Sequence, residues 1–241
     1  MIPEIIHYCW FGKSEIPKRL QCCIDSWKII MPECRIVRWD ETNFDVDSTA
    51  WTKEAYAAKK YAFVSDYVRV MVLEKYGGIY LDTDVMLKKS LAPLMQKCAF
   101  MGFENAEYLS SAILGFEPHF PVLREFLEYY KGRHFFDGEG NANEEANVIM
   151  MTKVLQKRGL VLNDEEQCVG DVQVFPREYF CPMDFYYDYV VSDNTFAIHY
   201  YDGSWLDEAT KKRVKKERAA WYKKYLRVRA AVSKIYHRIF G

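Results

Sequence analysis

The chain opens with an apolar run, "IPEIIHYCWFG", that reads as a strand closed by Gly12. Residues 16 to 31, entered through Ile16-Pro17 and stopped at Pro32, read as a helix. "CRIVRWD" is a second strand, and the Ala-, Lys- and Tyr-rich residues 51 to 61 are helical. Residues 63 to 76 form a helix that is apolar almost all round and is stopped by Gly77-Gly78. Directly after it, "IYLDTDV" reads as a buried strand. "CAFMGFE" and "SAILGFE" follow as strands, then helices at about 120–131 and 144–158 with a Gly-, Asn- and acid-rich loop between them. "VQVFPREYFCP" and "TFAIHYY" are late strands. This alternation predicts an α/β fold with a largely parallel sheet.

Two places break the apolar pattern with acid. Asp82 and Asp84 end the run Ile79-Tyr80-Leu81, at the sheet edge where open α/β folds bind ligands. With one spacer between them, Asp82 and Asp84 converge on one ion if the chain turns there, or one binds the metal and the other binds the ligand. Oxygen ligation of this kind suits Mg²⁺ or Mn²⁺. Upstream, Asp66 and Arg69 share a face of the apolar helix. Buried charges there must pair with each other or with a ligand. An internal salt bridge and a sugar-hydroxyl site both fit that demand.

Polar and aromatic side chains at other strand ends extend the candidate set. Tyr8 and Trp10 close the first strand, and an aromatic there either joins the core or stacks on a base. "AIHYYDGSW" offers His199 as a third metal ligand or a core histidine. Its Gly203-Ser204-Trp205 looks like a loop able to close over phosphate.

Composition narrows the classes. Aromatic residues make up 16% of the 241, so the chain is globular rather than disordered. The net charge of -1 gives no global polyanion signal, but its distribution is uneven. From Asp207 onward there are 12 Lys and Arg against 3 acids, while the preceding residues carry 21 against 31. That acidic body argues against nucleic acid as a partner. Seven cysteines without a CxxC pair read as reduced thiols, the N-terminus lacks signal-peptide features, and no apolar run approaches membrane-spanning length. A cytoplasmic protein is expected, peripheral to the membrane if its tail binds there.

"IPEIIHYCWFG", "YAFVSDYVRVMVLEKYGGIYLDTDV" and "IHYYDGSW", in that order, resemble glycosyltransferase family 32, the DXD sugar-binding-region proteins. The resemblance is close over residues 2 to 103 and loose over 170 to 205. It implies a GT-A type fold, Rossmann-like with a mostly parallel sheet, and a domain spanning residues 1–205. It also implies a nucleotide-sugar donor, UDP being favoured, a glycan or lipid-linked acceptor, a divalent cation (Mn²⁺ or Mg²⁺), and transfer with retention. Capsule or lipopolysaccharide synthesis is the expected setting. Carried over by position, Trp10 with Tyr8 beside it meets the nucleobase, and Asp66 and Arg69 hold donor-sugar hydroxyls. Asp82 contacts ribose and sugar and bridges to the metal, Asp84 ligates it, His199 completes the ligation, and Ser204 with Trp205 closes over the diphosphate.

The chain departs from the family where many relatives carry Asn-Ala; it has Ser110-Ser111-Ala112. Asn143, Glu145 and Asn147 open a helix near where relatives line the reaction centre, and an ordinary acidic first turn explains them as well. The tail, residues 206–241, mixes basic and aromatic residues and reads as an amphipathic helix suited to anionic lipid or to the chain's own acidic body. A haloacid-dehalogenase-like phosphatase and a non-catalytic nucleotide-sugar or glycan-binding module are the alternatives.

Overall fold

A computed structural model describes residues 1–182, 191–203, 209–210, 212–213 and 216–217. Ser204, Trp205 and, apart from those six helical positions, the basic tail lie outside the described residues. None of the helices described is long and apolar enough to cross a membrane.

Seven strands form the main sheet in the order β2-β1-β3-β6-β5-β8-β7. They are β1 (Ile5–Cys9), β2 (Arg35–Trp39), β3 (Gly78–Leu81), β5 (Ala99–Gly102), β6 (Ile113–Phe116), β7 (Gln167–Val169) and β8 (Val172–Phe175). Three neighbouring pairs are parallel (β1–β2, β1–β3 and β5–β8). The other three, β3–β6, β5–β6 and β7–β8, are antiparallel. Five strands therefore run one way and β6 and β7 run against them, which meets the expectation of a mostly parallel sheet. A second, two-stranded sheet pairs β4 (Val85–Leu87) with β9 (Ala197–His199).

Strands buried on both faces read as continuous apolar runs, and here alternate residues go to opposite cores. Tyr80, Leu114 and Met101 face a cluster closed by α2 (Ala50–Ala57), α3 (Tyr61–Tyr76), α4 (Pro121–Glu128) and α5 (Asn147–Gln156). Ile79, Leu81, Ile113 and Phe100 face the other side, covered by α1 (Lys18–Ile30) and β4. Trp27 of α1 is fully buried there and donates its indole N–H to the Val85 carbonyl at 2.8 Å.

The expected strand over 79–85 is two strands. Val85 N–H donates to the Asp82 carbonyl at 3.0 Å, so Asp82-Thr83-Asp84 is a turn and the chain leaves the main sheet for the small one. Acid cannot continue a core strand without a partner for each charge, and the turn brings both carboxylates to the edge. Gly77 ends α3 at φ 62°, where its N–H reaches the Leu73 carbonyl at 2.9 Å and a Cβ would stand 2.7 Å from Pro118. Sequence periodicity also missed β7, a three-residue edge strand, and drew the later helices too long.

Candidate active site

Parallel strands end together, so Trp10, Asp82 and Glu104, following β1, β3 and β5, share one sheet edge. Antiparallel β6 begins at that edge, which places Ser111 beside Asp82; Asp82 N–H donates to the Ala112 carbonyl at 2.9 Å.

The turn after β3 separates the two aspartates. Asp82 shares the α3 face with Tyr80, whose hydroxyl donates to its Oδ1 at 3.0 Å. Arg69 of α3 reaches the same atom with Nη2 at 3.2 Å and stands 3.0 Å from Asp66 Oδ1. Its Nη1 donates to the Ser111 carbonyl at 2.9 Å and to Ser111 Oγ at 2.6 Å, and its guanidinium lies 4.8 Å from the centre of the Tyr80 ring. The internal salt bridge foreseen for Asp66 and Arg69 is present, and Asp82 joins it.

Burying that charge is costly, several kcal/mol per ion. Around it α3 buries Phe63, Val64, Val68, Val70, Val72 and Leu73. At about 2 kcal/mol each those side chains contribute on the order of 10 kcal/mol, enough to hold the polar group in place. Burial pushes the Asp66 carboxyl up to about 6 against the opposing pull of Arg69. For Arg69, burial acts downward, but Asp82, Tyr80 and Asp66 outweigh it and keep the guanidinium charged.

Asp84 faces the other way, toward α1 and β9. His199 pairs with Val85 across the small sheet and brings Nε2 to 3.5 Å from Asp84 Oδ1. Tyr200 N–H donates to the Asp84 carbonyl at 3.1 Å, and Asp202 N–H to its Oδ2 at 2.7 Å. Tyr201, at φ 50°, supplies the left-handed step between these two donors. The Asp202 carboxylate is in turn ion-paired with Arg19 of α1. Burial raises the Asp84 carboxyl, yet His199 and then Arg19 more than offset this and hold it below the usual range. Burial lowers His199, while Asp84 and Cys181 lift it well above an ordinary imidazole.

Asp82, Asp84 and His199 each present a ligand atom within 4.8 Å of the others. Two carboxylates and an imidazole are a donor set that fits Mn²⁺ or Mg²⁺. The His199 Nδ1 atom is buried with no hydrogen-bond partner among the described residues.

The remaining candidates separate clearly. Trp10 is half-buried at the site edge and its indole N–H donates to the Ser14 carbonyl at 2.8 Å. Tyr8 instead points into the core, edge-on to Trp27 at 5.6 Å. Asn147 is buried at the start of α5, its backbone N–H bonds the Asp66 carboxylate, and its side-chain Nδ2 has no partner among the described residues. Glu145 is spent on Tyr129 at 2.8 Å and Lys153 at 3.3 Å, and the backbone N–H of Asn143 on the Phe135 carbonyl at 2.8 Å.

Three participants were missed from sequence: Ser111, Asp202 and Glu104. Burial pushes the Glu104 carboxyl up, and the charges of His199, Asp82, Arg69 and Asp84 act on it, so it lies near the same cluster. An acid directly after an apolar strand, as in "AFMGFE", is the signal that also marked Asp82.

Residues 17–101 match the family described as glycosyltransferase sugar-binding region containing DXD motif. Inositol phosphoceramide mannosyltransferase 3 of Schizosaccharomyces pombe is 32% identical over 134 residues, covering 52% of this chain and 36% of that protein. Alpha-1,4-N-acetylglucosaminyltransferase of Homo sapiens is 33% identical over 122 residues, covering 51% and 33%. The chain thus spans about a third of the length of these curated relatives. Among solved structures, PaToxG glycosyltransferase aligns at TM-score 0.49 and 20% identity, over 65% of this chain and 68% of that one.

Proposed function

We propose, from the match of residues 17–101 to the DXD-containing sugar-binding region of glycosyltransferases, that the chain moves a hexose from a nucleotide-sugar to a glycan or lipid-linked glycan. The observation that carries the reading is the division of labour around one turn. Asp82 is tied to the buried Arg69–Asp66 pair, while Asp84 is tied to His199. In this reading a buried charged group that meets sugar hydroxyls adjoins a cation site.

In this scheme Asp66 accepts from donor-sugar hydroxyls and Arg69 donates to them, with Ser111 fixing the guanidinium plane. Asp84, Asp82 and His199 would hold the divalent cation. A cation there supplies neutralising charge for a diphosphate leaving group. Negative charge develops on that group during transfer, so this is where stabilisation lowers the barrier most. His7 does not serve as a base near the sugar, because it is buried and bonded to Gly77 and Trp39. Retention suits such a site, since a leaving phosphate oxygen can take the acceptor proton on the same face.

UDP is the nucleotide we favour, and surface-polysaccharide or glycolipid synthesis the setting. A lipid-linked acceptor is in keeping with similarity to proteins named inositol phosphoceramide mannosyltransferase and lactosylceramide 4-alpha-galactosyltransferase. The test is a hydrolysis screen of UDP- and GDP-hexoses with Mn²⁺. Cation-dependent release of sugar from one donor supports the proposal, and inertness toward all of them together with no nucleotide binding overturns it.

A further inference from the structure

Arg19 is left without work in the scheme above, yet it stands at the rim of the cation site. It lies in the first turn of α1, and α1 runs along β4. Trp27 donates to the Val85 carbonyl at 2.8 Å, and Leu87 N–H donates to Ser26 Oγ at 3.0 Å. Each turn back along that stripe moves toward the start of β4, through buried Cys23 to Arg19. The guanidinium there ends on the Asp202 carboxylate. Asp202 in turn gives its backbone N–H to Asp84 Oδ2 at 2.7 Å, and the Arg19 charge acts on Asp84 directly.

This pair is open to solvent, at 52% and 41% side-chain exposure. Exposed ion pairs add little to stability, so a structural staple is a poor account of its place. A guanidinium fork matches two phosphate oxygens as well as it matches a carboxylate, and the nucleoside diphosphate that departs on transfer carries more charge than one divalent cation cancels.

We propose that Arg19 binds the diphosphate of the donor nucleotide, and that Asp202 holds the guanidinium in register until phosphate oxygens displace its carboxylate. The exchange leaves the Asp202 backbone N–H on Asp84, so the cation ligand stays oriented while Arg19 changes partner. This inference rests on the nucleotide-sugar reading given above.

The test is calorimetric titration of the whole chain with UDP, GDP, UMP and GMP in the presence of Mn²⁺. Arg19→Ala is expected to weaken diphosphate binding about tenfold or more and to change monophosphate binding less than about threefold. Arg19→Lys keeps the charge without the fork and falls between. Asp202→Asn removes the competing carboxylate but keeps the backbone N–H, and is expected to hold or improve diphosphate affinity. Unchanged diphosphate affinity in Arg19→Ala overturns the assignment. So does an equal loss in Arg19→Ala and Asp202→Asn, the mark of a staple. Wild-type protein that binds none of the four nucleotides sinks the functional reading, and this inference with it.

Discussion

Asp202 donates its backbone N–H to Oδ2 of Asp84 at 2.7 Å, across 118 positions of sequence. Asp84 is thereby aimed from two sides, by this bond and by His199. Asp84→Asn preserves shape but exchanges a charged ligand for a weak one. We expect at least a hundredfold or so loss of Mn²⁺-dependent donor hydrolysis, on the scale of losses known at metal sites. The variant's melting temperature should stay close to wild type. Near-normal turnover at any Mn²⁺ concentration would remove Asp84 from the site.

Arg69 carries two carboxylates at once, 3.0 Å from Asp66 and 3.2 Å from Asp82. Arg69→Ala strands both and should destabilise the chain by about 3–5 kcal/mol in chemical denaturation. Ser111→Ala leaves the Ser111 carbonyl as an acceptor and should cost only about 1 kcal/mol. Equal losses in the two variants would contradict the central place given to Arg69.

Asp66 titrates at about 6 in the fold, against 3.8 for an unperturbed group. If ionised Asp66 accepts a sugar hydroxyl, donor-sugar affinity falls as pH drops through about 6, and Asp66→Asn abolishes that dependence along with most of the affinity. Stability moves the other way. A raised folded pKa favours the protonated form, so the contribution is complete below about 3.8 and is lost as pH rises through 6. The difference is about 3 kcal/mol. Thermal melts of Asp66→Asn should show a higher melting temperature than wild type at pH 7. A lower one refutes the assignment.

His7 provides the opposite slope. Its Nδ1 accepts from Trp39 Nε1 at 3.0 Å, which requires the proton on Nε2, donated to the Gly77 carbonyl at 2.9 Å. Burial lowers its pKa from 6.5 to about 4. A neutral His7 stabilises the fold fully above pH 6.5, and that contribution, about 3 kcal/mol, is lost as pH falls toward 4. Between pH 4 and 6 the His7 and Asp66 effects oppose each other. Wild type should therefore melt at nearly constant temperature there, whereas Asp66→Asn should lose stability steadily on acidification. A flat profile in that variant would show that His7 is not the titrating group.

Much of the fold was legible because its strands are buried on both faces. Runs such as Ile79-Tyr80-Leu81 have no other use for so much apolar surface, and Gly77-Gly78 marks the break between helix and strand. Strand direction was not legible, since alternation is the same in parallel and antiparallel β6. Asp66, Arg69, Asp82 and Asp84 were visible as charge set in apolar surroundings. Ser111 and Asp202 were not, because one serine and one loop acid look ordinary until topology sets them beside Arg69 and Asp84. Asn147, Glu145 and Asn143 could be told apart only by burial and by the partners already engaged.

The small sheet has a consequence for how the chain matures. β4 and β9 share only three registered pairs, and β9 must cross more than a hundred residues to find its partner. Closing so long a loop for so few contacts is entropically slow, so the main sheet can consolidate before His199 arrives. Competence and foldedness then become separable milestones. A pulse of hydrogen exchange during refolding should protect Tyr80 and Leu114 amides early and those of His199 and Asp202 last. Among the described residues, the same thin seam makes the β9 end a place where local opening is easy.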